Sequence, residues 1–140
     1  MRNDRRLRRL VVDERTAYLW NFRQKKGHDG VWRDIVTLHR DGNRTRIVFR
    51  AGGPGSGRYV SEGDLWFQGC AADGQGEAII LREPGVVRAL LDEAARRGLM
   101  RPGDRELDGW ELFYAVAEAV DLKRAAAATP AAPRGCPPGP

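Results

Sequence analysis

The sequence predicts an α+β fold: an antiparallel β-meander of four to five strands, followed by two helices packed on the sheet and a disordered C-terminal tail. Three observations lead to this prediction. Segments 16–23, 31–40 and 44–50 are rich in aromatic and β-branched residues and are separated by glycine-containing turns. Two later segments repeat apolar residues at helical spacing. Residues 124–140 are rich in Ala and Pro and lack large apolar side chains, so they cannot form a core.

The strands are predicted from alternation and from turn residues. Asp41-Gly42 favours a tight reversal between the second and third segments, because both residues tolerate a positive φ. Both faces of the first two segments carry apolar residues, so the pattern does not decide which face is buried. Residues 10–12 are either a first edge strand or a lead-in, 51–57 form a loop, and short strands are expected near 65–68 and at 78–82.

Two helices follow. The first begins at Pro84, which suits a first helical turn, and Gly98 can supply its left-handed stop. The second is expected to start at Asp108, whose side chain can cap it, with Glu111 in position to reach back. The apolar stripe of the first helix is Val87, Leu90, Leu91 and Ala94, and that of the second is Trp110, Phe113, Ala117 and Val120, widened by Leu112 and Val116.

The net charge of +5 is concentrated at the two ends of the chain. Residues 1–9 hold five arginines and one aspartate, whereas residues 10–120 hold 16 basic and 17 acidic side chains. We therefore divide the chain into a basic N-terminal arm (1–9), a single α+β domain (10–123) and a disordered tail (124–140).

The sequence also indicates where the protein resides. No apolar run approaches the roughly 20 residues that span a bilayer, and no apolar block follows the basic N-terminus. The isolated thiols of Cys70 and Cys136 fit a reduced compartment and lack the spacing of a zinc site, although spacing leaves their pairing open. A cytoplasmic protein without a membrane partner is expected.

One loop has a partial likeness to a nucleotide site. Gly52 and Gly57 follow a predicted strand with four residues between them, which resembles the phosphate-binding loop of P-loop nucleotide kinases over fewer than ten residues. Arg58 and Tyr59 stand where that pattern has Lys and a small hydroxyl residue, and the following segment is a poor helix former. A flexible glycine loop is the prediction here, and no cofactor is assigned.

The predicted strands carry Asp34 and His39, two residue types that take part in acid–base catalysis. Asp34 and His39 alternate onto opposite faces and lie roughly 17 Å apart, so they cannot form a local acid–base pair. An ion pair of Asp34 with a neighbouring strand, for example with Arg46, is expected instead. An enzyme that combines Asp34 with Asp64 or Glu62 is kept as an alternative, but no catalytic or metal-binding residue is assigned.

A small non-enzymatic binding or accessory module that acts on a protein partner is the expected function, chiefly because no catalytic constellation is found. Nucleic-acid binding is the alternative, through the N-terminal arginines and through tryptophans that lie beside basic residues. The contacts expected in that case are Arg5, Arg6, Arg8, Arg9, Trp20, Arg23, Lys25, Lys26, Trp32 and Arg33.

Overall fold

Eight strands and two helices follow one another in the described part of the computed structural model, residues 4–62 and 69–127, with the backbone alone described for residues 4 and 5. The strands are β1 (Asp4–Val11), β2 (Ala17–Lys26), β3 (Trp32–Arg40), β4 (Asn43–Arg50), β5 (Tyr59–Val60), β6 (Cys70–Ala72), β7 (Ala78–Ile80) and β8 (Asp104–Asp108). The helices are α1 (Pro84–Arg96) and α2 (Trp110–Ala127).

A mostly antiparallel sheet with the strand order β1-β2-β3-β4-β8 forms one layer, and the two helices pack against one of its faces, so the α+β prediction is confirmed. The meander β1 to β4 is antiparallel, whereas β8 pairs with β4 in parallel. Strands β5, β6 and β7 form a second, three-stranded antiparallel sheet. The predicted strand at 78–82 corresponds to β7, and the one near 65–68 lies outside the described residues.

The core lies between the helices and one face of the large sheet. Its largest fully buried side chains include Trp20, Phe49, Phe113, Leu38, Ile47 and Leu90. All four residues of the stripe predicted for α1 are buried, and in α2 only Val120 of the predicted set is partly exposed. The apolar periodicity therefore identified the packed faces of both helices.

Local backbone signals in the sequence also correspond to the structure. Asp41 and Gly42 have φ values of 52° and 78°, as a tight hairpin between β3 and β4 requires. Gly98 ends α1 with a φ of 73°. The backbone N–H of Trp110 donates to Asp108 Oδ1 at 3.0 Å, so Asp108 caps α2 as predicted, although the helix begins at Trp110 and Asp108 itself ends β8. Residues 51–57 form a loop that leads into β5 rather than into a helix, unlike a nucleotide-binding P-loop.

Two boundaries differ from the predicted organisation. Residues 4–9, assigned to a charged arm, form most of β1 and pair with β2. The arginine-rich sequence does not favour a strand by itself, and the strand forms because β2 supplies its backbone hydrogen-bond partners. At the other end α2 continues through Ala127, so residues 124–127 belong to the helix rather than to the tail. Residues 128–140, including Cys136, lie outside the described part of the chain. Cys70, at the start of β6, is disulfide-bonded, so the expectation of isolated, reduced thiols was wrong.

Candidate functional site

The face of the large sheet opposite the helices, here called the open face, is strongly basic. Strand alternation directs Trp20, Phe22 and Phe49 into the core. The open-face positions are therefore the odd-numbered residues of β2 and β3 and the even-numbered residues of β4. The cations at the open-face positions of β2, β3 and β4 are Arg23, Lys25, Arg33, Arg44, Arg46 and Arg50. No acidic residue occupies an open-face position of these three strands.

Four of these six cations, Arg23, Lys25, Arg33 and Arg46, line a concave surface, here called the basic groove, with a volume of about 660 Å³. Its floor consists of Ile35, Thr37 and Val48, and its acidic residues are Asp29 from the β2–β3 turn and Glu106 from β8. The basic residues that line it are Arg23, Lys25, Lys26, Arg33 and Arg46, beside His28. Five cations against two carboxylates give the groove a net charge of +3 when His28 is neutral.

Some of the cations of the open face are already paired. Asp29 Oδ2 accepts hydrogen bonds from Arg50 at 2.9 Å and from Arg33 at 3.1 Å. The bonds from Arg50, from the Val31 backbone and from Arg33 hold the pKa of the Asp29 carboxyl well below its usual range. Arg44 forms an ion pair with Asp104 at 3.0 Å.

Four cations of the groove remain without an ion pair to any residue in 4–62 or 69–127: Arg23, Lys25 and Arg46 at open-face positions, and Lys26 at the end of β2. The Nε atom of Arg23 is buried and has no hydrogen-bond partner within those ranges, and neither has the buried Oδ1 atom of Asn21. Buried polar atoms are normally hydrogen-bonded, so the Arg23 donor marks a place where an anionic ligand can complete the bonding.

The predicted nucleic-acid contacts divide between the two faces of the sheet. Arg23, Lys25 and Arg33 lie together in the basic groove, as neighbours in the register of β2 and β3. Lys26 also lines the groove, and its ammonium group lies 5.7 Å from the centroid of the Trp32 ring.

The two tryptophans belong to the opposite face. Trp20 is only 2% exposed and lies in the core, with the Arg8 guanidinium 5.4 Å from its ring centroid. Trp32 is half-buried and packs against the core. Strand alternation separates both rings from the open-face cations, so Trp20 presents no ring face on which a base can stack.

The N-terminal arginines are part of β1. Arg6, Arg8 and Arg9 are exposed at the edge of the large sheet, and for Arg5 only the backbone is described. They are therefore continuous with the sheet and do not form a separate arm.

The structure gives Asp34 a different partner from the one predicted. Its carboxyl group is fully buried on the core face, and Oδ1 accepts a hydrogen bond of 2.8 Å from Gln24 Nε2, which also donates to the Ser61 carbonyl at 2.8 Å. The expected ion pair with Arg46 was wrong, because Arg46 projects from the open face. Burial raises the pKa of Asp34 to about 7, and the bond from Gln24 opposes this rise.

The alternative of an enzyme built from separated acidic residues gains no geometric support. Glu62 is exposed whereas Asp34 is enclosed in the core, and Asp64 lies outside the described residues. His39 projects from the open face, opposite to Asp34, as the alternation predicted. Within residues 4–62 and 69–127, no three His, Cys, Asp or Glu side chains are grouped so as to hold a metal ion.

Sequence reasoning did not assign Arg46, Thr37, Arg50 and Asp29 to a site. The signal for Arg46 and Arg50 was present, because residues 46, 48 and 50 alternate with the apolar Ile47 and Phe49. Recognising the groove also required the register that places these residues beside Arg33 and Thr37 of β3.

No protein-family model, no curated protein and no solved structure matches this chain. Among the helices that the structure describes, none is both long and apolar enough to cross a membrane.

Proposed function

We propose that this protein is a small non-enzymatic binding module whose basic groove docks an acidic segment of a partner protein. The observation that carries the proposal is the concentration of six cations, with no acidic residue, at the open-face positions of β2, β3 and β4. Opposite charges across an interface favour encounter and fix orientation.

The floor of the groove supports a protein partner over a nucleic acid. Ile35 and Val48 offer aliphatic surface between the cations. Aliphatic side chains of a peptide can pack on such a surface, whereas single-stranded nucleic acids stack their bases on aromatic rings. None of the residues that line the groove is Phe, Tyr or Trp.

The charge distribution supports the same choice. A nucleic acid presents a continuous series of phosphates, so it favours a continuous series of unpaired cations. On the open face, Arg33 and Arg50 are held by Asp29, and Arg44 is held by Asp104. The unpaired positive charge is thus confined to a small area, which suits a short acidic segment.

A binding assay with fluorescent peptides tests the proposal. The probes are a peptide of about twelve residues that alternates Glu and Val, its counterpart in which Lys replaces Glu, and single- and double-stranded DNA of similar length. We expect the full chain to bind the acidic peptide in preference to the other probes, with an affinity that falls as salt screens the charges.

Charge-reversal variants locate the binding surface. The double variant Lys25→Glu with Arg46→Glu should weaken acidic-peptide binding at least tenfold, about 1.4 kcal/mol. The matched control is Arg96→Glu with Lys123→Glu, which makes the same change of net charge on exposed positions of α1 and α2. Equal losses in both variants, or no binding of the acidic peptide, would refute the proposal. Tighter binding of DNA that is lost only in the groove variant would replace it with nucleic-acid binding.

A further inference from the structure

The chemistry around Arg23 indicates which anionic group the basic groove accepts. Arg23 extends from β2 on the open face beside Ile35, and its Nε atom is buried without a partner among the described residues. A guanidinium group donates from Nε and the terminal nitrogens in a planar fork that matches two oxygens of one anion. The orphaned donor therefore lies in a groove that is already lined by positive charge.

A second arginine flanks the same floor from the other side. Arg46 of β4 pairs in register with Thr37 of β3, which pairs in turn with Asn21 of β2. Because neighbouring strands lie about 4.8 Å apart, the backbones of β2 and β4 are separated by roughly 10 Å across β3. Two extended arginine side chains can close on one small anion across that distance, above Ile35 and Thr37.

Lys25 supplies a third positive charge in the same groove, one open-face position along β2 from Arg23. Of the groove carboxylates, Asp29 is engaged by Arg33 and Arg50, and Glu106 lies beside Arg46 in the register of β4 and β8. The groove thus combines Arg23, Lys25 and Arg46, which have no ion pair among the described residues, with one orphaned guanidinium donor.

We propose that Arg23, Lys25 and Arg46 form a subsite for a single phosphate group, carried by a phosphoserine or phosphothreonine of the partner's acidic segment. This inference rests on the proposed function for the nature of the partner. A phosphomonoester carries nearly two negative charges and three acceptor oxygens, whereas a carboxylate carries one charge and two oxygens. Three cations with at least one arginine fork match the phosphate better.

Inorganic phosphate tests the subsite without knowledge of the partner sequence. In ¹H–¹⁵N spectra of the full chain, phosphate should shift the Arg23 Nε–H resonance and the Thr37 amide resonance in a saturable way, while equal ionic strength of chloride should not. The shifts should weaken as the pH is lowered through the second pKa of inorganic phosphate, where the dianion takes up a proton and loses one negative charge.

The variant Arg23→Lys keeps the positive charge at this position and removes the planar guanidinium group. It should weaken phosphate binding at least fivefold, whereas Lys123→Arg on α2 should leave it unchanged. If Arg23→Lys binds phosphate as well as the parent does, or if the parent shows no saturable shift, the subsite is refuted.

Peptides then distinguish failure of the subsite from failure of the proposed function. A serine placed in the middle of the Glu-Val peptide should bind at least tenfold more tightly when it is phosphorylated, and glutamate at that position should not reproduce the gain. Equal binding of the three peptides would overturn the phosphate subsite and leave acidic docking intact. Absence of binding by all three would overturn both.

Discussion

The buried carboxyl group of Asp34 makes the stability of the fold depend on pH in a direction opposite to that of most aspartates. Its side chain is 0% exposed, and Oδ2 has no hydrogen-bond partner within residues 4–62 and 69–127. Burial raises its pKa from 3.8 to about 7, so the native state holds a proton that the unfolded chain releases. Stability from this group is present below about pH 4 and is lost as the pH rises to about 7 and beyond.

The magnitude follows from the size of the shift. A rise of about three pKa units corresponds to roughly 4 kcal/mol of unfolding free energy, lost at up to about 1.4 kcal/mol per pH unit. Asp34→Asn keeps an oxygen that can accept from Gln24 and cannot ionise. We therefore expect the variant to be within about 1 kcal/mol of the parent near pH 4, and more stable than the parent by roughly 3–4 kcal/mol near pH 8.

Urea unfolding of both proteins at several pH values between about 4 and 8 measures this difference. The difference between variant and parent is the relevant quantity, because the other titrating groups are common to both proteins. Asp92→Asn is the control, since its carboxylate is half-exposed on α1 and pairs with Arg88. A difference for Asp34→Asn that stays flat across the range would show that water reaches the carboxyl group and that the burial argument is wrong.

Three further substitutions test contacts within the fold: two concern the packing of α2 on the large sheet, and the third concerns the β6–β7 turn. Trp110→Ala should cost about 3–5 kcal/mol of unfolding free energy, because the side chain is 8% exposed, packs edge-on against Phe49 and donates from Nε1 to the Arg50 carbonyl at 2.7 Å. Gly109→Ala should also destabilise the fold, by about 1–3 kcal/mol, because an added Cβ would lie 2.4 Å from the Phe49 ring; unchanged denaturant midpoints in both variants would contradict this packing. Asp73→Ala removes an acceptor for two backbone N–H groups of the β6–β7 turn and should lower the melting temperature by several degrees, about 1 kcal/mol, with no effect on peptide binding.

The elements that could be predicted from the sequence are those whose own residues favour the structure that forms. The hairpin at Asp41 and Gly42 and the buried stripes of both helices depend on local turn chemistry and periodicity. Strands β1 and β8 were harder to predict, since their sequences, DRRLRRLV and DRELD, are dominated by charged residues. They form through pairing with β2 and β4, which no local pattern encodes.

The groove was overlooked because charge was counted along the chain rather than by face. Residues 10–120 are nearly neutral in sum, which argued against an anion-binding surface on the folded domain. The alternation of β2 and β4 places Arg23, Lys25, Arg44, Arg46 and Arg50 on the face opposite the aromatic and aliphatic residues that the core requires. A near-neutral sum of charges along the chain can therefore accompany a sheet face on which positive charge is concentrated.

The position of the balancing acidic residues determines the kind of ligand that suits this surface. Strand β8 contributes Asp104, Glu106 and Asp108, all exposed, along one edge of the open face. Their negative charge limits the basic region at the β8 side of β4. At the β2–β3 turn, Asp29 neutralises part of the positive charge of the open face. A long polyanion laid across the sheet would meet repulsion at all three carboxylates of β8, whereas a compact dianion above Ile35 and Thr37 would meet only Glu106, beside Arg46. The acidic edge thus acts as a selectivity element of the proposed site, and neutralising it with Asp104→Asn and Glu106→Gln should increase DNA binding more than phosphopeptide binding.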